Sequence, residues 1–335
     1  MKRAILLLIC VLIALSSCAH TPSPSNIRHS FLSKANEVTV SSDSITFSDA
    51  SERKSITVKK NPERVVILYP SLTTLWYEAG GEVIGCIGAD SSVSLYREYI
   101  GRDISKDDGV TVVSTSAASK KWDIEKIVSL SPDLIICSTS MGGYETIRFA
   151  ADMANITVIA ADYNDFSDYL KWFNVFCHLN GRADLWESEA LTALSEVTSV
   201  LSAVNTSNAP TVFCMFSGTE TLQANTPETV LGGMIEALGA VNIAYGYRDA
   251  ERIPINLEAV YAANPDIILV QCHAGTDAAR AHVEAEYGEN PVWQSLRAVK
   301  EGRVYYLEKE LFHNKPNSRF ADAYKALANI LYPIE

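Results

Sequence analysis

Trp122-Asp123-Ile124-Glu125-Lys126-Ile127, followed by Pro132-Asp133-Leu134-Ile135-Ile136, is a pattern this chain carries twice. The second copy is Ile255-Asn256-Leu257-Glu258-Ala259-Val260, followed by Pro265-Asp266-Ile267-Ile268-Leu269; in both, the Asp stands eight positions after the Glu. Each copy opens a short helix with an N-cap residue, Asp123 or Asn256, whose side chain accepts from free backbone N–H groups. A Pro-Asp turn then leads into a continuously apolar run, the signature of a strand buried on both faces. The Glu falls in the first helical turn, where a carboxylate gains from the helix dipole. The repeat predicts two related lobes, each with an equivalent carboxylate on its surface: Glu125 and Glu258.

The flanking sequence fills in both lobes. Ile45–Phe47 and Ser55–Val58 alternate like a β-hairpin. Val65–Leu68, Val83–Ile87, Leu134–Cys137 and Thr157–Ala160 read as short buried strands, and Leu72–Gly80 as a helix closing on Gly. The second half restarts with a strand at Thr211–Phe216, a helix at Thr229–Leu238, and strands at Ile267–Val270 and Arg303–Leu307. Strands alternating with helices predict an α/β fold with parallel sheets. Between the halves, Leu185, Leu191, Leu194, Val197, Leu201 and Val204 recur at helical spacing. One helix over 181–204 would span roughly 35 Å and act as a rigid strut. Two shorter helices within one lobe are the alternative. The predicted division is an N-terminal α/β lobe at 45–180, an inter-lobe helix at 181–204 and a C-terminal α/β lobe at 205–335.

The N-terminus sets the compartment. Lys2 and Arg3 precede an apolar run from Ala4 to Leu15, too short to span a bilayer but fit for a secretion signal. Leu15-Ser16-Ser17-Cys18 resembles a bacterial lipobox, in which the Cys is lipidated and becomes the first residue. Residues 1–17 are therefore expected to be a signal peptide, and 18–44 a lipidated Cys18 with a flexible tether. The protein would be exported and held at the membrane by lipid. Removal of the signal leaves, besides Cys18, five cysteines scattered without a C-x-x-C pair, which favours buried free thiols. Of 335 residues, 47% are hydrophobic and 20% charged, enough apolar content for a real core. With 28 Lys and Arg against 40 Asp and Glu, the net charge is −12, which argues against a nucleic-acid partner.

Further motifs agree with one family. Ile45-Thr46-Phe47-Ser48-Asp49-Ala50, Asn61-Pro62-Glu63-Arg64-Val65-Val66 and Pro70-Ser71-Leu72-Thr73 lie ahead of the first repeat copy. Asn290-Pro291-Val292-Trp293 and Ala298–Tyr305 follow the second. In order and spacing the chain from 45 to 335 resembles the periplasmic-binding-protein-type solute receptors of ABC importers, in the iron-siderophore, haem and cobalamin class. The resemblance implies two Rossmann-like lobes joined by one long rigid helix, with a ligand cleft between them. It also implies a monomer that serves an ABC permease and ATPase complex, with Glu125 and Glu258 docking on permease arginines. Where related proteins often carry an acidic residue after the Thr of the first helix, this chain has Thr74.

Ligands of α/β lobes meet the loops at the carboxyl ends of strands. Those loops supply Tyr69, Ser71, Ser138, Met141 and Tyr144 in the first lobe. In the second they supply Phe216, Ser217, His273, His313, Lys315 and Arg319. Aromatic faces, hydroxyls and two cations suit a bulky, partly anionic ligand: an Fe(III) siderophore, haem or a corrinoid. Tyr69, His273 or His313 could be axial ligands to haem iron. Ser138 stands where cobalamin-binding relatives place a Trp, which disfavours the corrinoid. No intrinsic cofactor, catalytic residue or protein-held metal is expected. A lipid-anchored hydrolase is the rival reading, but G-x-S-x-G, H-E-x-x-H and P-loop motifs are missing. A zinc or manganese receptor would want His and carboxylates converging from both lobes.

Overall fold

Asp133 and Asp266 do the same work in two halves of the computed structural model, which describes residues 23–51, 53, 55–116 and 121–333. The Asp133 carboxylate accepts from the backbone N–H groups of Glu63 and Arg64 at 2.8 and 3.1 Å. The Asp266 carboxylate accepts from that of Thr211 at 2.8 Å. Each ties the entry of its sheet's first strand to the strand beside it, with a charge-assisted bond worth about 1.5–3 kcal/mol.

The described residues open with a helix, α1 (Pro24–Leu32), and a small antiparallel sheet of β1 (Thr39–Val40), β2 (Ser44–Phe47) and β3 (Ile56–Lys59). The helix corrects the expectation of a flexible tether over 18–44. Ser23 caps it by accepting from the Asn26 N–H, and Pro24 occupies its first turn, where a missing N–H costs nothing. Ile27 is buried and Phe31 meets Phe166 edge-on at 5.1 Å, so the segment is folded onto the body. The proposed signal peptide and Cys18 lie outside the described residues.

The first lobe is a five-stranded parallel sheet ordered β6-β5-β4-β7-β8. Its strands are β4 (Val65–Ile67), β5 (Gly85–Ile87), β6 (Thr111–Ser114), β7 (Leu134–Cys137) and β8 (Thr157–Ala160). Its helices are α2 (Pro70–Glu78), α3 (Asp90–Tyr99), α4 (Ile124–Ser129), α5 (Tyr144–Met153) and α6 (Phe166–Leu179). Gly181, at φ 68°, turns the chain out of α6. Any side chain there would be strained, and its Cβ would approach Asn61 Oδ1 to 3.3 Å. Helical backbone then runs through α7 (Ala183–Leu185), a π turn (Trp186–Ala190) and α8 (Leu191–Ala203), covering about 30 Å.

The second lobe has β9 (Thr211–Ser217), β10 (Leu222–Asn225), β11 (Val241–Asn242), β12 (Arg252–Pro254), β13 (Ile267–Cys272) and β14 (Val304–Leu307). Its helices are α9 (Val230–Ala237), α10 (Leu257–Ala263), α11 (Thr276–Tyr287), α12 (Pro291–Ser295), α13 (Arg297–Lys300), α14 (Lys309–Phe312) and α15 (Phe320–Leu331). β9, β13 and β14 are parallel and match β4, β7 and β8 of the first lobe. The repeat is not complete. After β9 the chain doubles back at Gly218 into antiparallel β10, and β12 pairs antiparallel with that. All five cysteines among the described residues are free and buried.

The lobes share a seam. Phe320 of α15, fully buried, packs against Phe166 at 4.9 Å and Tyr169 at 5.4 Å on α6, and Tyr163 lies at 6.2 Å. The same apolar cluster continues along α8 into the second lobe, so one core runs behind both sheets.

Candidate functional site

The carboxyl ends of both sheets face a single cavity of about 490 Å3. The first lobe builds one wall from the loops after β4, β5, β7 and β8, and the second lobe builds the other from β12 and the segments after β13 and β14.

The first-lobe wall is rich in hydroxyls: Ser71, Ser91, Ser92, Ser138 and Ser140 line it beside Tyr69. Asp162 holds the loop after β7 in place. Its carboxylate accepts from Ser138 Oγ at 2.6 Å, from the Thr139 N–H at 2.8 Å and from the Thr139 hydroxyl. Ser138 and Ser140 share a further hydrogen bond at 2.7 Å. Burial, with Glu251 nearby, raises the Tyr69 phenol above its usual range.

The second-lobe wall is cationic. Arg252, Lys309 and Lys315 line it, with Glu251 as the carboxylate among them. The Arg252 guanidinium lies 4.1 Å from the centre of the Phe216 ring, and its Nε donates to Asn225 Oδ1 at 3.1 Å. Asn225 Nδ2 in turn donates to Gln271 Oε1 at 2.9 Å, so a buried chain of amides fixes the fork. Glu251 approaches Arg252 only to 3.9 Å. Lys315 rests on the Tyr163 ring at 5.3 Å and on Asn164 Oδ1 at 3.4 Å rather than on a carboxylate. Burial lowers its ammonium pKa to about 8.

His273 and His313 stand side by side in the same wall, Nδ1 to Nε2 at 2.9 Å. Such a bond needs a donor on one ring and an acceptor on the other, so at least one imidazole is neutral. Burial first, then His273, Lys309 and Arg252, push the His313 pKa down to about 3; burial and the same two cations lower that of His273. Three cations, Arg252, Lys309 and Lys315, thus stand against the Glu251 carboxylate in the cavity lining.

Of the residues expected from sequence, the structure brings Tyr69, Ser71, Ser138, His273, His313 and Lys315 to this cavity. Phe216 backs the wall, stacked on His313 at 5.7 Å beneath Arg252. Four expectations are corrected. Met141 and Tyr144 line a different hollow of about 670 Å3 on the first lobe alone, because the chain turns away from the cleft after Ser140. Arg148 in that hollow is already paired with Glu145 and Asp152, and Arg53 with Asp49. Ser217 is buried and bonded to His282 Nδ1 at 3.2 Å. Arg319 pairs with Glu98 of α3 at 2.7 Å, outside the cavity lining.

Sequence reasoning missed Arg252 and Lys309, the two cations that complete the wall. β12 spans three residues, too short for any period, and Glu251-Arg252 reads as a charged loop. Glu125 and Glu258 sit exposed in the first turns of α4 and α10, whose N-caps Asp123 and Asn256 accept from Lys126 N and Ala259 N. Among the described residues, no three His, Cys, Asp or Glu side chains converge as a metal site. No helix among them is long and apolar enough to cross a membrane.

A profile described as periplasmic binding protein matches residues 65–311. The chain is 25% identical over 298 residues to the Bacillus subtilis uncharacterized ABC transporter substrate-binding lipoprotein YvrC, covering 86% of each chain. It is 23% identical over 264 residues to the Fe(3+)-citrate-binding protein YfmC of the same organism, covering 77% of each. The solved structure of Staphylococcus aureus IsdE complexed with heme superposes with a TM-score of 0.65 at 18% identity. The match covers 80% of this chain and 98% of that one. At that identity the likeness is one of fold.

Proposed function

The chain belongs to the periplasmic binding protein family, and from that premise we propose that it is a lipid-anchored receptor that captures an anionic Fe(III) chelate for an ABC importer. The observation that carries the ligand class is the unbalanced charge of the cavity: Arg252, Lys309 and Lys315 against Glu251, opposite a wall of serines. A ferric carboxylate or catecholate complex brings negative charge for the cations and a rim of oxygens for the hydroxyls. The names of the B. subtilis relatives, a substrate-binding lipoprotein and an Fe(3+)-citrate-binding protein, support the two halves of the reading. The chain is a receptor, not an enzyme: its work is to bind, present and release. Membrane attachment, on this reading, rests on lipid at Cys18, and delivery on a permease and ATPase.

The test is calorimetric titration of the full chain, solubilised in detergent, with ferric citrate, a ferric tris-catecholate, a neutral ferric tris-hydroxamate, haem and cobalamin. Saturable binding of the anionic ferric complexes, at least about tenfold tighter than the neutral one, is expected from two or more charge-assisted contacts. Preference for haem or cobalamin would replace the ligand class, and tight zinc binding with none of these would replace the reading.

Glu125 and Glu258 are the proposed docking points on the permease. Both are exposed and occupy equivalent first turns, one per lobe, so a two-fold partner could address them together. Replacing both with Ala should lower uptake about tenfold or more while leaving ligand affinity within about twofold, since rim charges act on docking rather than on the cleft. A comparable loss of ligand affinity would remove them from this role.

A further inference from the structure

We propose that Asn317 is a positioning residue for Lys315, so that the cation presented by the second lobe is aimed by the first. This rests on the anionic-ligand reading above and concerns how the cavity's charge is held in place.

Lys315 opens a short segment between α14 and α15 that is tied to α15 by the Phe320 N–H on the Asn317 carbonyl and to the first lobe by a run of side-chain hydrogen bonds. The Tyr99 hydroxyl of α3 donates to the Pro316 carbonyl at 3.1 Å. Asn317 is fully buried, and its Nδ2 donates to Thr74 Oγ1 at 2.8 Å and to the Ser71 carbonyl at 3.3 Å, both on α2. Ser318 Oγ donates to Glu78 Oε1 at 2.8 Å, and Arg319 pairs with Glu98 at 2.7 Å. Four consecutive residues therefore grip α2 and α3. Asn317 sits at the centre, in the left-handed region at φ 48°, a backbone state that Asn tolerates better than most residues.

The grip has a direction. Ser71, whose carbonyl Asn317 holds, is itself part of the cavity wall, and Lys315 lies two residues from Asn317. The bond thus registers a first-lobe hydroxyl against a second-lobe cation. Thr74 completes the arrangement: its hydroxyl accepts from Asn317 and donates to the same Ser71 carbonyl at 2.9 Å. An acidic residue in place of Thr74 could not donate at neutral pH.

The experiment is a mutant cycle on the full chain in detergent, with ferric citrate and a ferric tris-catecholate as anionic probes and a neutral ferric tris-hydroxamate as control. Asn317→Gly removes the side chain without straining the left-handed backbone, and Thr74→Val removes the acceptor from the opposite lobe. Lys315→Met should weaken the anionic probes by about tenfold, and Asn317→Gly and Thr74→Val by about fivefold each, with the neutral probe within twofold. On the Lys315→Met background, Asn317→Gly should add less than about twofold, because both changes remove the same contact. Equal losses with and without Lys315, or equal losses for the neutral probe, would reduce Asn317 to a structural residue and overturn the proposal. Lys315→Met without effect on the anionic probes would take Lys315 out of the ligand contact and overturn the proposal, whereas equal binding of the anionic and neutral probes by the parent chain would overturn the anionic-ligand reading.

Discussion

Replacing Phe320 with alanine should cost about 3–5 kcal/mol of folding stability, the range for truncating a fully buried aromatic. Phe320 is 0% exposed and meets Tyr163, Phe166, Tyr169 and Tyr324 with ring centres between 4.9 and 6.4 Å. The ring is the point at which α15 of the second lobe enters the aromatic cluster around α6 of the first. Its loss would leave a cavity in the one core that both lobes share, and rigid neighbours close such a cavity only in part. Phe149, 65% exposed on α5, is the control: its truncation should change stability by no more than about 0.5 kcal/mol. Urea unfolding of the two variants checks the contrast, and a Phe320→Ala midpoint close to that of the parent would refute the shared core.

Replacing Arg252 with alanine should weaken an anionic ferric chelate by about 100-fold, the loss expected when a fixed, charge-assisted donor is removed from a half-buried cleft. The guanidinium is held from below by the Phe216 ring and from the side by Asn225. It therefore meets a ligand without first losing side-chain freedom, and that preorganisation is part of its effect. Arg252→Lys should recover only part of the affinity, because one ammonium cannot serve Asn225 and the ligand in the planar geometry of the fork. Titration with ferric citrate measures both, and affinity retained within about twofold in the alanine variant would remove Arg252 from the site.

The parallel strands were legible in the sequence because burial on both faces makes a continuous apolar run, as in Leu134–Cys137 and Ile267–Val270. The repeat located the two lobes, since the N-cap, the first-turn Glu and the Pro-Asp turn are local features with local causes. β10 and β12 escaped because each is short and mixes polar with apolar residues, Leu222–Asn225 and Arg252–Pro254, so neither shows a continuous apolar run. α1 escaped for a different reason: Ser23-Pro24-Ser25-Asn26 has the composition of a linker, and only Ile27 and Phe31, four residues apart, mark a face. In the cleft, residue type and position after a strand found Tyr69, Ser138 and Lys315. The same logic misplaced Arg319, because its partner Glu98 lies more than two hundred positions away and pairing at that distance is a tertiary fact.

The folding of α1 has a consequence for the way the receptor meets its membrane. Ser23, where the described chain begins, is five positions after Cys18, and five residues reach at most about 18 Å. With Cys18 as the proposed lipid site, the body is moored on a short line. The mooring point is α1, which lies against α6 and α8, the helices behind both lobes. Lipid at Cys18 would confine the receptor to a thin shell above the bilayer and so raise its local concentration at a permease in the same membrane. Docking contacts can then be weak one by one and still be occupied. Fast release of the emptied receptor would follow from the same weakness, and the proposed mooring would keep it near the membrane.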